Sequence, residues 1–288
     1  VIASRTDHRR GLALTITGVL VLSPDALFLR LLELDPWTIV FWRGLLTAAG
    51  LAVGLAVFGE GGLVHAFRAI GAAGVVLAVL WAGNAIFFIV AITHTTVANT
   101  LVIIAAAPMI AAALSHLFLR EPVEPETWAA TVLAFLGIAV VVWDGLGRGR
   151  VIGDAAALAT ACFVAGTLIV LRRARSVNMV PATALGGLFA AVAVAGIASP
   201  FAVNAEDALV LGVTGLVVLP IAFGLITLGP RYLPAPEVSL LMLLETVLGP
   251  ILVWLVLGEG ASIATLWGGA IVVVTLGAHA LIRLRNAR

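Results

Sequence analysis

Three ionisable residues, Asp25, Arg43 and Glu245, sit within long apolar runs of this 288-residue chain. At the centre of a membrane such a group costs about 2.5–3.5 kcal/mol on insertion scales, so each needs a partner, a proton or a water-filled cavity. Asp25 falls about seven residues, or about 10 Å, from the end of the first run, and Arg43 about six residues, or about 9 Å, from the start of the second. If both runs are helices, they are antiparallel neighbours and the two charges share a level, where pairing offsets the cost of each. That pair reads either as a structural ion pair or as a substrate or gate contact facing the outer side. Glu245 lies about ten residues, or about 15 Å, into its run and near the midplane, on one helical face with Met242 and Gly249. It is either a buried hydrogen-bonding group that locks its helix or a carboxylate that binds an ammonium group or carries a proton.

Two further patterns invite chemistry. Trp81, Asn84 and Phe88 recur at i, i+3 and i+7, an amide flanked by aromatics. That suits a pocket for an amphipathic solute, and equally helix packing with Asn as a link between helices. Ser23-Pro24-Asp25 is a helix-start sequence placed in mid-run, with Ser as N-cap and Pro at the first position. It predicts a broken or kinked helix, and broken membrane helices line cavities because freed backbone groups need partners away from lipid.

The elements that must carry these residues follow from composition. Apolar residues make up 62% and charged ones 11%, against about 45–50% and about 25% in soluble domains, so lipid is the solvent for much of the surface. Stretches of about 20 apolar residues cross the hydrocarbon core as helices. Ten fit, at roughly 11–32, 36–58, 69–92, 97–119, 126–144, 151–171, 179–200, 206–229, 234–257 and 262–284; they are called spans 1 to 10. The break between spans 3 and 4, near Thr93–Thr96, has the weakest signal. The first run is too long for a signal-peptide core.

All sixteen basic residues are Arg. With ten spans, most of them, from Arg5, Arg9 and Arg10 to Arg283, Arg285 and Arg288, fall on the side of the N-terminus, and only Arg30, Arg148 and Arg150 on the other. By the positive-inside rule both termini face the cytoplasm. Trp37 and Trp143 fall near span ends, as interfacial anchors do. Ala107, Ala111 and Ser115, and Gly50 with Gly54, should mark close helix contacts. Pro108, Pro220 and Pro250 are hinges or static kinks. Glu237 reads as a rim residue, and His116 and His279 as interfacial.

Several classes drop out. A net charge of +1 gives no footprint for nucleic acid. The lone Cys162 allows no internal disulfide and no cysteine-built metal site. Without Lys there is no Walker A lysine, hence no ATP-hydrolysing P-loop, and no Schiff base. Neither a Gly-x-Ser-x-Gly elbow nor a His-Glu-x-x-His helix is present. No enzyme, cofactor, metal or ATPase subunit is expected. A channel would need a polar ring along a continuous pore, which one chain with scattered polar groups does not display.

The chain also repeats itself. Leu119-Arg120-Glu121 and Trp128 before Gly137 correspond to Leu257-Gly258-Glu259 and Trp267 before Gly277. A repeat of five spans has an odd number of crossings, so the second copy is upside down, and inverted repeats with a mid-membrane site are a transporter architecture. The expected units are 1–148 and 149–288 within one membrane domain. Ala91–Glu121 followed by Trp128–Val142, and Gly224–Glu259, resemble the ends of EamA domains of the drug/metabolite transporter superfamily; Ser23–Asp25 through Phe41–Arg43 resemble YddG-type amino-acid exporters. The resemblance covers nearly the whole chain. It implies an all-α, ten-helix inverted-repeat transporter of the bacterial inner membrane, with spans 1, 3, 4, 6, 8 and 9 around a cavity and spans 5 and 10 outside. It implies export by alternating access of small metabolites, amino acids including aromatic ones first. Asn84, Trp81, Phe88, Glu245, Met242 and Arg43 are then the expected substrate contacts, with Asp25, Arg43 and Pro24 as gate or ion pair. Efflux of drug cations or other metabolites is the alternative.

Overall fold

The computed structural model describes residues 5–58, 62–107, 109–110, 113, 125–146, 150–174, 177–229, 232 and 235–286. All of its regular structure is helical among these residues. In chain order the helices are α1 (Arg5–Leu22), α2 (Asp25–Leu31), α3 (Pro36–Phe58), α4 (Gly62–Ala69), α5 (Gly71–His94), α6 (Val97–Ile104), α7 (Pro125–Leu146), α8 (Val151–Arg173), α9 (Val180–Val194), α10 (Ala205–Val213), α11 (Leu219–Leu228), α12 (Ala235–Leu257) and α13 (Ile263–Asn286). A π turn over Thr214–Val218 joins α10 to α11.

Five of these segments are long and apolar enough to cross a membrane: Arg9–Leu31, Pro36–Phe58, Gly71–His94, Val151–Leu171 and Ala205–Leu228. Shorter apolar helices cover Trp128–Trp143, Val180–Val194, Leu244–Leu257 and Ile263–His279. The protein is therefore a multi-pass membrane protein. Its outer faces agree, since Val53, Leu136, Val192, Trp254 and Val274 are all exposed, as lipid-facing side chains must be. The interior is built from small residues. Ala106, Ala134, Ala157 and Val272 anchor one buried cluster, and Leu29, Ile39, Ile92, Leu101 and Val253 another.

Span 2 begins and ends where expected. Span 1 is interrupted at Ser23–Pro24 and divides into α1 and α2. The cap differs from expectation: Pro24 is the N-cap of α2, with no side-chain cap bond, while the Ser23 hydroxyl donates back to the Val19 carbonyl at 2.8 Å. Thr95–Thr96 does separate α5 from α6, and the Thr96 hydroxyl oxygen caps α6 by accepting from the Asn99 N–H. Span 7 stops at Val194, short of position 200, because the chain turns over Ala195–Ile197. α4 lies in what reads as a polar gap. Much of span 4 after Ile104 falls outside the described residues, including Pro108, Ala111, Ser115 and His116, and so does Glu121 beyond it.

α1 packs on α11 and α12, α3 on α9 and the π turn, α5 on α8 and α9, α6 on α8 and α12, and α7 on α13. In two of these contacts glycines face each other backbone to backbone. A Cβ on Gly44 would fall on the Gly187 carbonyl oxygen, and one on Gly187 would lie 2.7 Å from that of Gly44. Gly137 and Gly268 face each other in the same way, at 2.8 and 2.5 Å. Gly50 also meets a neighbour, the Pro220 ring, but Gly54 has nothing within 4 Å and marks no contact. Trp37 is packed against a core cluster, whereas Trp143 is exposed. His279 is buried. Glu237 falls within α12, but its side chain lies outside the described set.

Candidate functional site

The packed helices leave a cavity of about 230 Å³ at their centre. Its walls come from α1, α2, α3, α5, α6, α8, α9, α11 and α12, and none from α7 or α13. Spans 5 and 10 thus stand outside it, as expected. Spans 2 and 7 contribute as well, which corrects the expected lining set: α3 supplies Val40, Arg43, Gly44 and Thr47, and α9 supplies Thr183 and Gly187. The reason is the Gly44–Gly187 contact, which draws both helices inward until their faces meet the cavity.

Asp25 and Arg43 stand together on the wall. Arg43 donates from Nη1 to Oδ1 at 2.7 Å and from Nη2 to Oδ2 at 2.9 Å. The side chains are only 5% and 9% exposed. The interruption at Ser23–Pro24 sets the start of α2 at Asp25, on the face that meets α3. A bidentate pair of this kind fixes both side chains. Arg43 faces the cavity with both terminal nitrogens already engaged.

Glu245 lines the cavity from α12, with Met242 one turn before it. It keeps partial exposure because it faces the cavity. Among the described residues no hydrogen bond or ion pair reaches its carboxylate. Trp81, Asn84 and Phe88 face the same space from α5. All six residues expected as substrate contacts therefore line one cavity, together with Asp25; Pro24 does not reach it.

Sequence reasoning missed part of the wall. Phe223 of α11 meets Trp81 edge to face, with ring centroids 4.5 Å apart. Thr47, Thr160, Thr167, Thr183, Thr227 and Thr246 add a set of hydroxyls. These threonines are spread over five helices, so no single stretch carries a pattern that would reveal them.

The two ends of the bundle differ. At one end, Arg30 of α2 donates to the Thr95 carbonyl at 2.5 Å and to Glu259 Oε1 at 3.1 Å. Its Nε lies 2.9 Å from Oε2 as a charge contact without hydrogen-bond geometry. Glu259 Oε1 also accepts the Val97 N–H at 3.0 Å. Thr95 donates to Asp154 at 2.9 Å, and Thr265 donates to Asn99. The Trp42 indole donates to the Pro200 carbonyl, the Ser199 N–H to Thr38, and the Glu33 N–H to Asp207. Apart from Arg30–Thr95, each of these bonds joins the first half of the chain to the second. The lining stops about a turn or more short of this end, at Asp25, Val40, Ile89 and Leu101. Toward the opposite end it runs to Leu171, Thr183 and Thr227, in the terminal turns of α8, α9 and α11. There the contacts among the described residues are apolar clusters and Arg10 over the Tyr232 ring, 5.5 Å from its centroid.

A polytopic helical membrane protein with a polar-studded cavity sealed at one end has the build of a solute transporter. The sequence comparison agrees: the EamA-like transporter family matches residues 9–143 and again residues 151–278. The chain belongs to that family and is a membrane transporter of the drug/metabolite type. No curated protein matches it. One solved crystal structure is similar over 96% of this chain and 98% of its own, with 19% identity and a TM-score of 0.69, a likeness of fold alone.

Proposed function

We propose that this protein is a secondary transporter that exports small amphipathic metabolites across the bacterial inner membrane by alternating access, amino acids including aromatic ones first among them. The observation that carries the reading is Glu245: an intramembrane carboxylate without a hydrogen-bond or ion-pair partner among the described residues, on a cavity wall that also bears Trp81, Asn84 and Phe88. An ammonium group would supply the missing charge, and the rings would take an apolar side chain. In this reading Met242 completes the apolar wall, and the Asp25–Arg43 pair stands toward the sealed end as a gate.

The proposed architecture is ten spans in two inverted repeats, 1–148 and 149–288. What supports it is the packing. Exchange each span n with span n+5, and the contact of span 1 with span 8 becomes that of span 6 with span 3. The contact of 3 with 7 becomes 8 with 2, and that of 4 with 6 becomes 9 with 1. Contacts 2 with 7, 4 with 9 and 5 with 10 return to themselves. All of these contacts occur. The sealed end bears Arg30 and Arg150, and the end bearing α1's start and α13's finish holds the arginine excess, which supports cytoplasmic termini.

The test is counterflow in liposomes preloaded with unlabelled amino acids. Labelled phenylalanine should accumulate above the protein-free level, and Glu245→Gln, Asn84→Ala and Arg43→Ala should reduce it in protein shown to be folded. Intact flux in all three variants would sink the site. One observation favours drug cations as a second reading: Asp25 and Arg43 cancel, so an ionised Glu245 leaves the lining with one negative charge. That reading predicts counterflow of a lipophilic cation without competition by amino acids.

A further inference from the structure

Two fully buried hydroxyls on the cavity wall have no partner among the described residues. Thr47 on α3 is 6% exposed and Thr183 on α9 is 2% exposed; both line the cavity, and neither Oγ1 makes a hydrogen bond. Five other hydroxyls in this bundle behave differently, while Thr15, off the cavity, also lacks a partner. Ser23, Thr93, Thr100, Thr160 and Thr214 each turn back onto the carbonyl four residues before, the usual resort of a helical hydroxyl away from water. Thr47 and Thr183 forgo that bond. They also stand at facing registers. α3 and α9 cross where Gly44 meets Gly187 and run antiparallel, as the Thr38–Ser199 and Trp42–Pro200 bonds further along show. One turn on from Gly44 and one turn back from Gly187 lie Thr47 and Thr183.

We propose that Thr47 and Thr183 form the subsite that takes the carboxylate of the transported solute, an inference that rests on the amphipathic-solute reading above. Two free O–H donors at facing registers suit the two oxygens of a carboxylate. The other candidate, Arg43, has both terminal nitrogens bound by Asp25. Glu245 stands on α12, which packs mainly on α1, α6, α13 and α2, away from α3 and α9. A zwitterion thus spans the cavity, ammonium toward α12 and carboxylate toward the α3–α9 crossing. An ammonium at the threonines would instead lie one turn from the Arg43 guanidinium.

Thr47→Val and Thr183→Val preserve shape and remove the hydroxyl. In reconstituted liposomes either change should raise the KM for phenylalanine counterflow about tenfold or more, with a much smaller change in Vmax. Thr→Ser at the same positions should restore KM. Phenylalanine's advantage over its decarboxylated counterpart, phenethylamine, as a competitor should shrink by a similar factor. The thermal midpoint of the Val variants should not fall, because no protein bond is lost. The subsite is overturned if KM and the competitor ratio stay unchanged in both Val variants, or if KM rises only together with a lowered midpoint that Ser does not restore. A wild-type protein without phenylalanine counterflow removes the amino-acid reading and the subsite together. An active wild type with unaffected variants removes the subsite alone.

Discussion

Asp25 and Arg43 form one charge pair, and Arg30 and Glu259 another, and their surroundings give them different weights. The first is almost wholly enclosed and bidentate. Removing one partner leaves an uncompensated charge in a low dielectric, which costs about 3–5 kcal/mol. Asp25→Ala should therefore lower stability by that amount in denaturant unfolding of detergent-solubilised protein. The double variant Asp25→Leu with Arg43→Met should recover most of the loss, because an apolar pair of similar volume replaces a buried ion pair at little cost. Recovery would show that the pair is kept for the cavity and not for the fold. The Arg30–Glu259 pair is about one-quarter exposed, and a partly solvated pair is worth about 1 kcal/mol or less. Its weight lies in what else Glu259 holds, the N–H of Val97 at the start of α6.

At the scale of elements, packing turns on where two backbones touch. Gly44→Ala places a methyl on the Gly187 carbonyl, a backbone atom that cannot swing aside. Overpacking of that kind costs about 1–3 kcal/mol, and thermal unfolding should register it. Gly54→Ala on the same helix meets nothing within 4 Å and should be neutral or stabilising, by up to about 1 kcal/mol, as expected from helix propensity. Sequence could not separate these two glycines: they stand ten residues apart on one apolar helix, and only the presence of α9 on one side distinguishes them. Five spans were legible as whole helices because apolar length is a property of single stretches. Asp25, Arg43 and Glu245 were legible because a charge inside such a stretch is conspicuous. Thr47, Thr183 and Phe223 were not, since each is an ordinary residue of its own helix and becomes part of a wall only when other helices close around it. The Ser23 cap was misjudged because Ser23 still belongs to the last turn of α1, its N–H and its hydroxyl both donating to the Val19 carbonyl, so its oxygen accepts no N–H at the start of α2.

For the whole molecule, the contrast between the ends makes a prediction of its own. Hydrogen bonds between the halves gather around Arg30, Thr95, Asn99 and Glu259. Glu259→Gln should leave global stability within about 1 kcal/mol of wild type while speeding hydrogen exchange at Val97 and over 258–262, with α7 and α13 unaffected. Uniform acceleration across all helices would instead mean that this network holds up the fold as a whole. The facing glycines, Gly44 with Gly187 and Gly137 with Gly268, carry a different kind of consequence. Each contact is governed by two codons, 44 with 187 and 137 with 268, and a change at either one alone is enough to push the helices apart, so the two positions of a pair share one fate.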